Sequence, residues 1–113
     1  HKPLHAHVPL RCMIPQDLEG VLVTGLGMSA HRDALPVIRM QADVQNQGYA
    51  AGCLAAKCAA SGEDFRAVDV KAFQHELVQI GILDSATASA GDSFPMSPES
   101  IRAAAHGDLD TAK

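Results

Sequence analysis

Three kinds of hydrophobic run succeed one another along the chain. Val21, Leu22, Val23 and Thr24 make a short apolar stretch rich in β-branched residues that stops at Gly25, a pattern that predicts a strand. Val8 to Ile14, bounded by Pro9 and Pro15, predicts an earlier strand, and Pro15-Gln16-Asp17-Leu18-Glu19-Gly20 the turn that returns the chain. An irregular segment broken by Pro36 follows, and from Gln41 to Ser61 the pattern becomes helical. At about 100° per residue, Val44, Gly48, Ala51, Gly52, Ala55 and Ala59 fall in one narrow stripe of small side chains. Two glycines within a helix cost roughly 1 kcal/mol each relative to alanine. The stripe is therefore expected to meet another backbone or a flat ligand at close range, or else to pack as an ordinary buried helix on a sheet.

Gly62 stops this helix, and Asp69 caps a second one in which Phe73, Leu77 and Ile80 recur at i, i+4 and i+7 before Gly81. The stretch SATASAGDSFPMSP beyond Asp84 is small, polar and proline-bearing and reads as a linker. Ser97 and Pro98 then start a last helix, Glu99 to Ala105, with Gly107 behind it. The order strand, loop, helix, amphipathic helix and flexible tail predicts an α/β class, with residues 1–83 as one unit and 84–113 as linker and the start of a further helix.

Composition removes several classes of function. A chain of 113 residues has room for one small domain, and its net charge of −4 carries no electrostatic footprint for nucleic acid. The longest uninterrupted apolar run, Tyr49 to Ala56, is far short of the roughly 20 residues of a membrane helix. The chain begins at His1 with no Met and no leader pattern, and so reads as a fragment. Cys53 and Cys58 lie about 140° apart on the predicted helix, too divergent to bridge, and reduced thiols fit a cytoplasmic setting. With no Cys-x-x-Cys, neither a zinc ribbon nor an iron–sulfur ligand set is encoded. His5 and His7 share a face if extended, but no third ligand joins them, and no metal is assigned.

Four motifs in order, Pro9-Leu10-Arg11-Cys12-Met13-Ile14-Pro15, Gly20 to Gly25, Ser29-Ala30 through Val37-Ile38-Arg39-Met40, and Gln47-Gly48-Tyr49-Ala50-Ala51-Gly52, carry a resemblance over roughly residues 7 to 83. The chain resembles the C-terminal part of the FAD-dependent oxidoreductases of the glutathione-reductase-like flavoprotein superfamily, including the branch related to heterodisulfide reductase. The resemblance implies FAD as cofactor and the C-terminal strand, loop and helix of an FAD/NAD(P)-binding Rossmann-like domain. It also implies the N-terminal part of the same domain as partner and a small-molecule substrate. It places Gly25, Ser29, Arg39, Met40, Gln41, Ala42 and Gly48 at the cofactor and His31, Arg32 and Arg39 at the chemistry. In such flavoproteins the helix N-terminus faces the pyrimidine side of the flavin, where negative charge accumulates on reduction. The chain departs from the family at Leu26, where many relatives have arginine, and at Pro36; the family histidine aligns with Arg32, and His31 lies one position earlier. Arg11 is either a solvated edge residue or near the cofactor cavity.

Two other readings compete. Gly25-Leu26-Gly27-Met28-Ser29-Ala30 fits the loose dinucleotide fingerprint, which requires a helix to open directly behind it, although Pro36 follows within one or two turns. Alternatively, the unit is a non-catalytic α/β packing module whose glycines serve helix contact alone. Arg39 bears on the choice, because a cation just before a helix is disfavoured by the dipole and asks for an anion. That anion is a flavin or substrate carboxylate in the family reading, and Asp33 or Asp43 in the bland one.

Overall fold

The computed structural model of the chain describes residues 6–92 and 94–106. Five helices form its frame: α1 (Leu35–Ile38), α2 (Gln41–Ser61), α3 (Val70–Gln79), α4 (Ser85–Ser89) and α5 (Pro98–Ala105). Two short 3-10 helices, Leu10–Met13 and Gly25–Gly27, precede them.

The helix ends follow local chemistry. Gly62 closes α2 in the left-handed conformation, φ +74°, with its N–H donating to Cys58 O at 2.8 Å. Asp69 caps α3 by accepting from the Ala72 N–H at 3.0 Å. At the other end of α3, Ile82 N–H donates to Leu77 O at 2.9 Å and Gly81 N–H to Val78 O at 3.0 Å. That is a Schellman pair, with Gly81 at φ +77°. Ser97 Oγ accepts from the Ser100 N–H at 3.1 Å in front of Pro98, so α5 starts as its sequence predicts.

The α/β expectation is overturned: among the described residues there is no strand and no sheet. Leu10–Met13, expected as a strand, winds into a 3-10 helix instead, with Cys12 N–H donating to Pro9 O. Val21 to Thr24 takes up no regular secondary structure, and only two backbone bonds link this region to the first: Val23 N–H to Met13 O and Ser29 N–H to Cys12 O, each 2.8 Å. A strand persists only when a neighbour satisfies its N–H and C=O groups along its length, and an isolated pair is marginal. These two short runs supply no third partner to one another. Their apolar side chains go to helix packing.

The core sits between α2 and α3. Leu54, fully buried, clusters with Cys58, Phe65, Phe73 and Leu77, and Leu10, Ile14, Leu22, Ile82 and Leu83 pack on the outside. Lys57 of α2 pairs with Glu76 of α3 across this contact. The core face of α2 is the Ala51, Leu54 and Cys58 face, which takes in one edge of the small-residue stripe at Ala51, with the half-buried Ala55 packed beside it. The close approach expected along the stripe fails at its glycines. Gly48, Gly52 and Ala59 are exposed, and a Cβ at either glycine would meet nothing within 4 Å. Only at the helix start is contact tight, where a Cβ on Gly25 would lie 3.2 Å from Val44 Cγ1.

The stretch expected as a free linker packs in part on the body. Ala88 of α4 is buried, and Lys71 Nζ of α3 donates to the carbonyls of Ala88 and Ala90, both at 2.8 Å. Ile80 stands just past the end of α3 and is exposed, leaving Phe73 and Leu77 as its buried side chains.

Candidate functional site

Of the residues picked out by sequence, Gly25 meets the first turn of α2 at Val44, and Arg39, Met40, Gln41 and Ala42 run through the start of that helix. Gly25 is buried at φ +64°, so the chain turns there without a Cβ while the Gly25–Gly27 turn packs against Val44. The turn does not open a helix: Met28 leaves it extended, at φ −67° and ψ 158°, and α1 begins only at Leu35. The geometry a dinucleotide fingerprint needs, glycines running straight into a helix N-terminus, is not what this segment adopts. Ser29 N–H is bonded to Cys12 O, which ties the loop to the first segment.

The N-terminus of α2 is open. Met40 precedes it in extended conformation and no side chain caps it; the first intrahelical bond runs from Val44 N–H to Met40 O at 2.9 Å. The amides of Gln41, Ala42 and Asp43 therefore remain as outward donors carrying the positive end of the helix dipole. Met40, Gln41 and Ala42 are all exposed. Arg39, the last link between α1 and α2, is exposed and makes no ion pair among the described residues.

The acids offered as partners for Arg39 are placed otherwise. Asp33 pairs with Arg32 Nε at 3.1 Å, and its own backbone N–H donates to His31 Nδ1 at 3.2 Å. His31, Arg32 and Asp33 thus form a small exposed cluster on the loop before α1, while Asp43 sits in the first turn of α2 and complements the helix dipole. Gly48 lies on the open face of α2.

A second feature was not picked out by sequence. A half-open cavity of about 870 Å³ is lined by Ile38, Leu54, Phe73 and Leu77 among others, and none of the residues placed above at cofactor or chemistry lines it. At its rim Arg11 makes a two-pronged pair with Asp92, Nη1 to Oδ2 at 2.6 Å and Nη2 to Oδ1 at 3.1 Å. The Arg11 hydrogen bond holds the Asp92 carboxyl below the usual carboxylate range, helped by the Phe94 N–H. Burial pushes the Cys58 thiol up, reinforced by Glu63. All three cysteines are free.

His5, one of the two histidines expected to share a face, lies outside the described residues. Among the described residues no helix is long and apolar enough to cross a membrane. In comparison with known proteins, the family described as FAD dependent oxidoreductase matches residues 2–77, about two thirds of the chain. No curated protein and no solved structure matches it.

Proposed function

The chain belongs to the FAD dependent oxidoreductase family, and from that premise we propose that it contributes the loop and the helix N-terminus that face the flavin ring in a cytoplasmic flavin-dependent oxidoreductase. The observation that carries this reading is the pairing of an uncapped, exposed α2 N-terminus with Arg39 immediately before it, which has no ion-pair partner among the described residues. A helix end and a guanidinium side by side repel one another unless something negative lies between them. Flavin, when bound, supplies the hydride- and electron-accepting chemistry. The chain's own part is electrostatic and positional: the amides of Gln41 and Ala42 and the Arg39 side chain favour negative charge near them, and Met40 presents an apolar surface beside them. Gly25 and Ser29 hold the loop against α2 and against Cys12 so that this end keeps its place. His31 and Arg32 stand on the loop as the residues available to a small-molecule substrate. The motif order favours the branch related to heterodisulfide reductase.

In this reading the adenosine pyrophosphate half of FAD is held by the N-terminal part of the same domain, because no strand–helix–strand unit exists among the described residues to hold it. The open face of α2 at Gly48 and Gly52 is where that part packs. FAD titrated into this chain alone should therefore bind no tighter than micromolar, whereas protein that also carries the N-terminal part should purify with flavin absorbance bands. Sub-micromolar binding by this chain alone, or colourless protein from the longer one, contradicts the reading.

A further inference from the structure

The rim of the cavity between α2 and α3 holds two cations, Arg11 and Lys71, and both direct their hydrogen bonds to one segment, residues 88–92. Asp92 occupies the Arg11 fork with both oxygens, and the Phe94 ring lies 5.1 Å from the guanidinium carbon. Lys71 is bonded only to the neutral carbonyls of Ala88 and Ala90, so its charge has no carboxylate partner there. A two-pronged carboxylate with an aromatic ring against the same guanidinium is how arginine recognises an acid that carries an apolar body. Behind the rim Leu10, Val37, Ala50 and Leu83 supply apolar wall beside Asn46, Gln47 and Gln74, and the cavity volume of about 870 Å³ falls within the roughly 300–1,000 Å³ usual for small-molecule pockets. Asp43 and Asp84 also line it, as does Arg66, which directs its own hydrogen bonds away to the carbonyls of Pro15, Gln16 and Leu18. Arg11 and Asp92 are each about half exposed, 48% and 57%, so the pair is solvent-screened and can be displaced.

We propose that this rim binds an apolar carboxylic acid, with the Asp92 carboxylate as its built-in occupant. The ligand's carboxylate takes the place of Asp92 on Arg11, Lys71 turns to it from the Ala88 and Ala90 carbonyls, and its apolar body enters the cavity toward the half-buried Leu10, Val37, Ala50 and Leu83. The segment from Asp84 to Asp92 is then a strap that competes with the ligand. The inference stands apart from the flavin reading and needs no flavin for its test.

The probe is 2-naphthoate, titrated by its fluorescence into the whole chain, which has no tryptophan to interfere; 2-naphthamide is the neutral control. Naphthoate should bind saturably and better than the amide. Asp92→Asn keeps an oxygen for the Phe94 N–H but removes the charge competing for Arg11, and should tighten naphthoate binding about tenfold if the strap is latched nine-tenths of the time, with the amide unmoved. Arg11→Met should bring naphthoate down to the level of the amide. Should Arg11→Met fail to fold, the Asp92→Asn comparison decides alone. Naphthoate binding no better than naphthamide in Asp92→Asn, an affinity unchanged by Asp92→Asn, or undiminished naphthoate binding by folded Arg11→Met overturns the proposal.

Discussion

Gly48 and Gly52 lie within the body of α2, neither has a positive φ, and a Cβ on either reaches nothing within 4 Å. In this chain the two glycines therefore bring only their backbone entropy, and alanine should stabilise the helix by about 1 kcal/mol at each position. Both lie on the solvent face, one helical turn apart, and the two propensity gains sum to about 2 kcal/mol for the double variant. The unfolding entropy of a 113-residue chain is about 0.24 kcal/mol per K near the midpoint, which converts that gain to about 8 °C in Tm. Calorimetry or far-UV circular dichroism on the chain reads it directly. In protein that also contains the N-terminal part of the domain, Gly48→Leu and Gly52→Leu should instead lose flavin, because a bulky side chain holds that part away from α2. A Tm that falls in the Gly48→Ala, Gly52→Ala chain would refute the reasoning, since it would mean that the face is covered where the structure leaves it open.

Leu54→Ala removes a fully buried side chain at the centre of the α2–α3 contact and should destabilise the chain by roughly 2–5 kcal/mol, read from a urea midpoint. The pH response of the strap follows from the depressed Asp92 carboxyl. Its contribution is complete above the unfolded carboxylate value of about 3.9 and is lost as pH falls through the lower folded value. The Phe94 amide resonance should thus hold its position from neutral pH to about 5 and move only below about 4; in Asp92→Asn that movement should disappear. Cys58, buried with its thiol pushed up, should react with a disulfide reagent far more slowly than Cys12 or Cys53 in folded protein, and all three should react alike in denaturant.

What the sequence made legible was the local chemistry. Gly62, Asp69, Gly81 and the Ser97-Pro98 pair announce helix ends because each acts within a few residues of itself, and the structure uses all of them in that way. Strand formation fails at Leu10–Met13 and Val21–Thr24, because a strand depends on neighbours that local pattern does not reveal. The α2 stripe misleads for a related reason: small residues at helical spacing are compatible with close contact but do not say what is there to touch. The core of α2 instead follows its larger side chain, Leu54, with Ala51 and Cys58. The Arg11–Asp92 pair spans 81 residues and has no periodic signal at all, so the strap and the cavity behind it appear only in three dimensions. At the start of α2 the sequence pointed to Arg39, Met40, Gln41 and Ala42, and the structure leaves that helix end uncapped and Arg39 without an ion pair among the described residues.

The flavin midpoint potential of Arg39→Met, measured in protein that carries this chain with its flavin bound, tests the central claim most directly. A lower potential and slower flavin reduction are expected with Tm and flavin content retained, because removing a positive charge disfavours added negative charge nearby, and Arg39→Lys should restore much of both. A potential and reduction rate equal to wild type in Arg39→Met would contradict that claim.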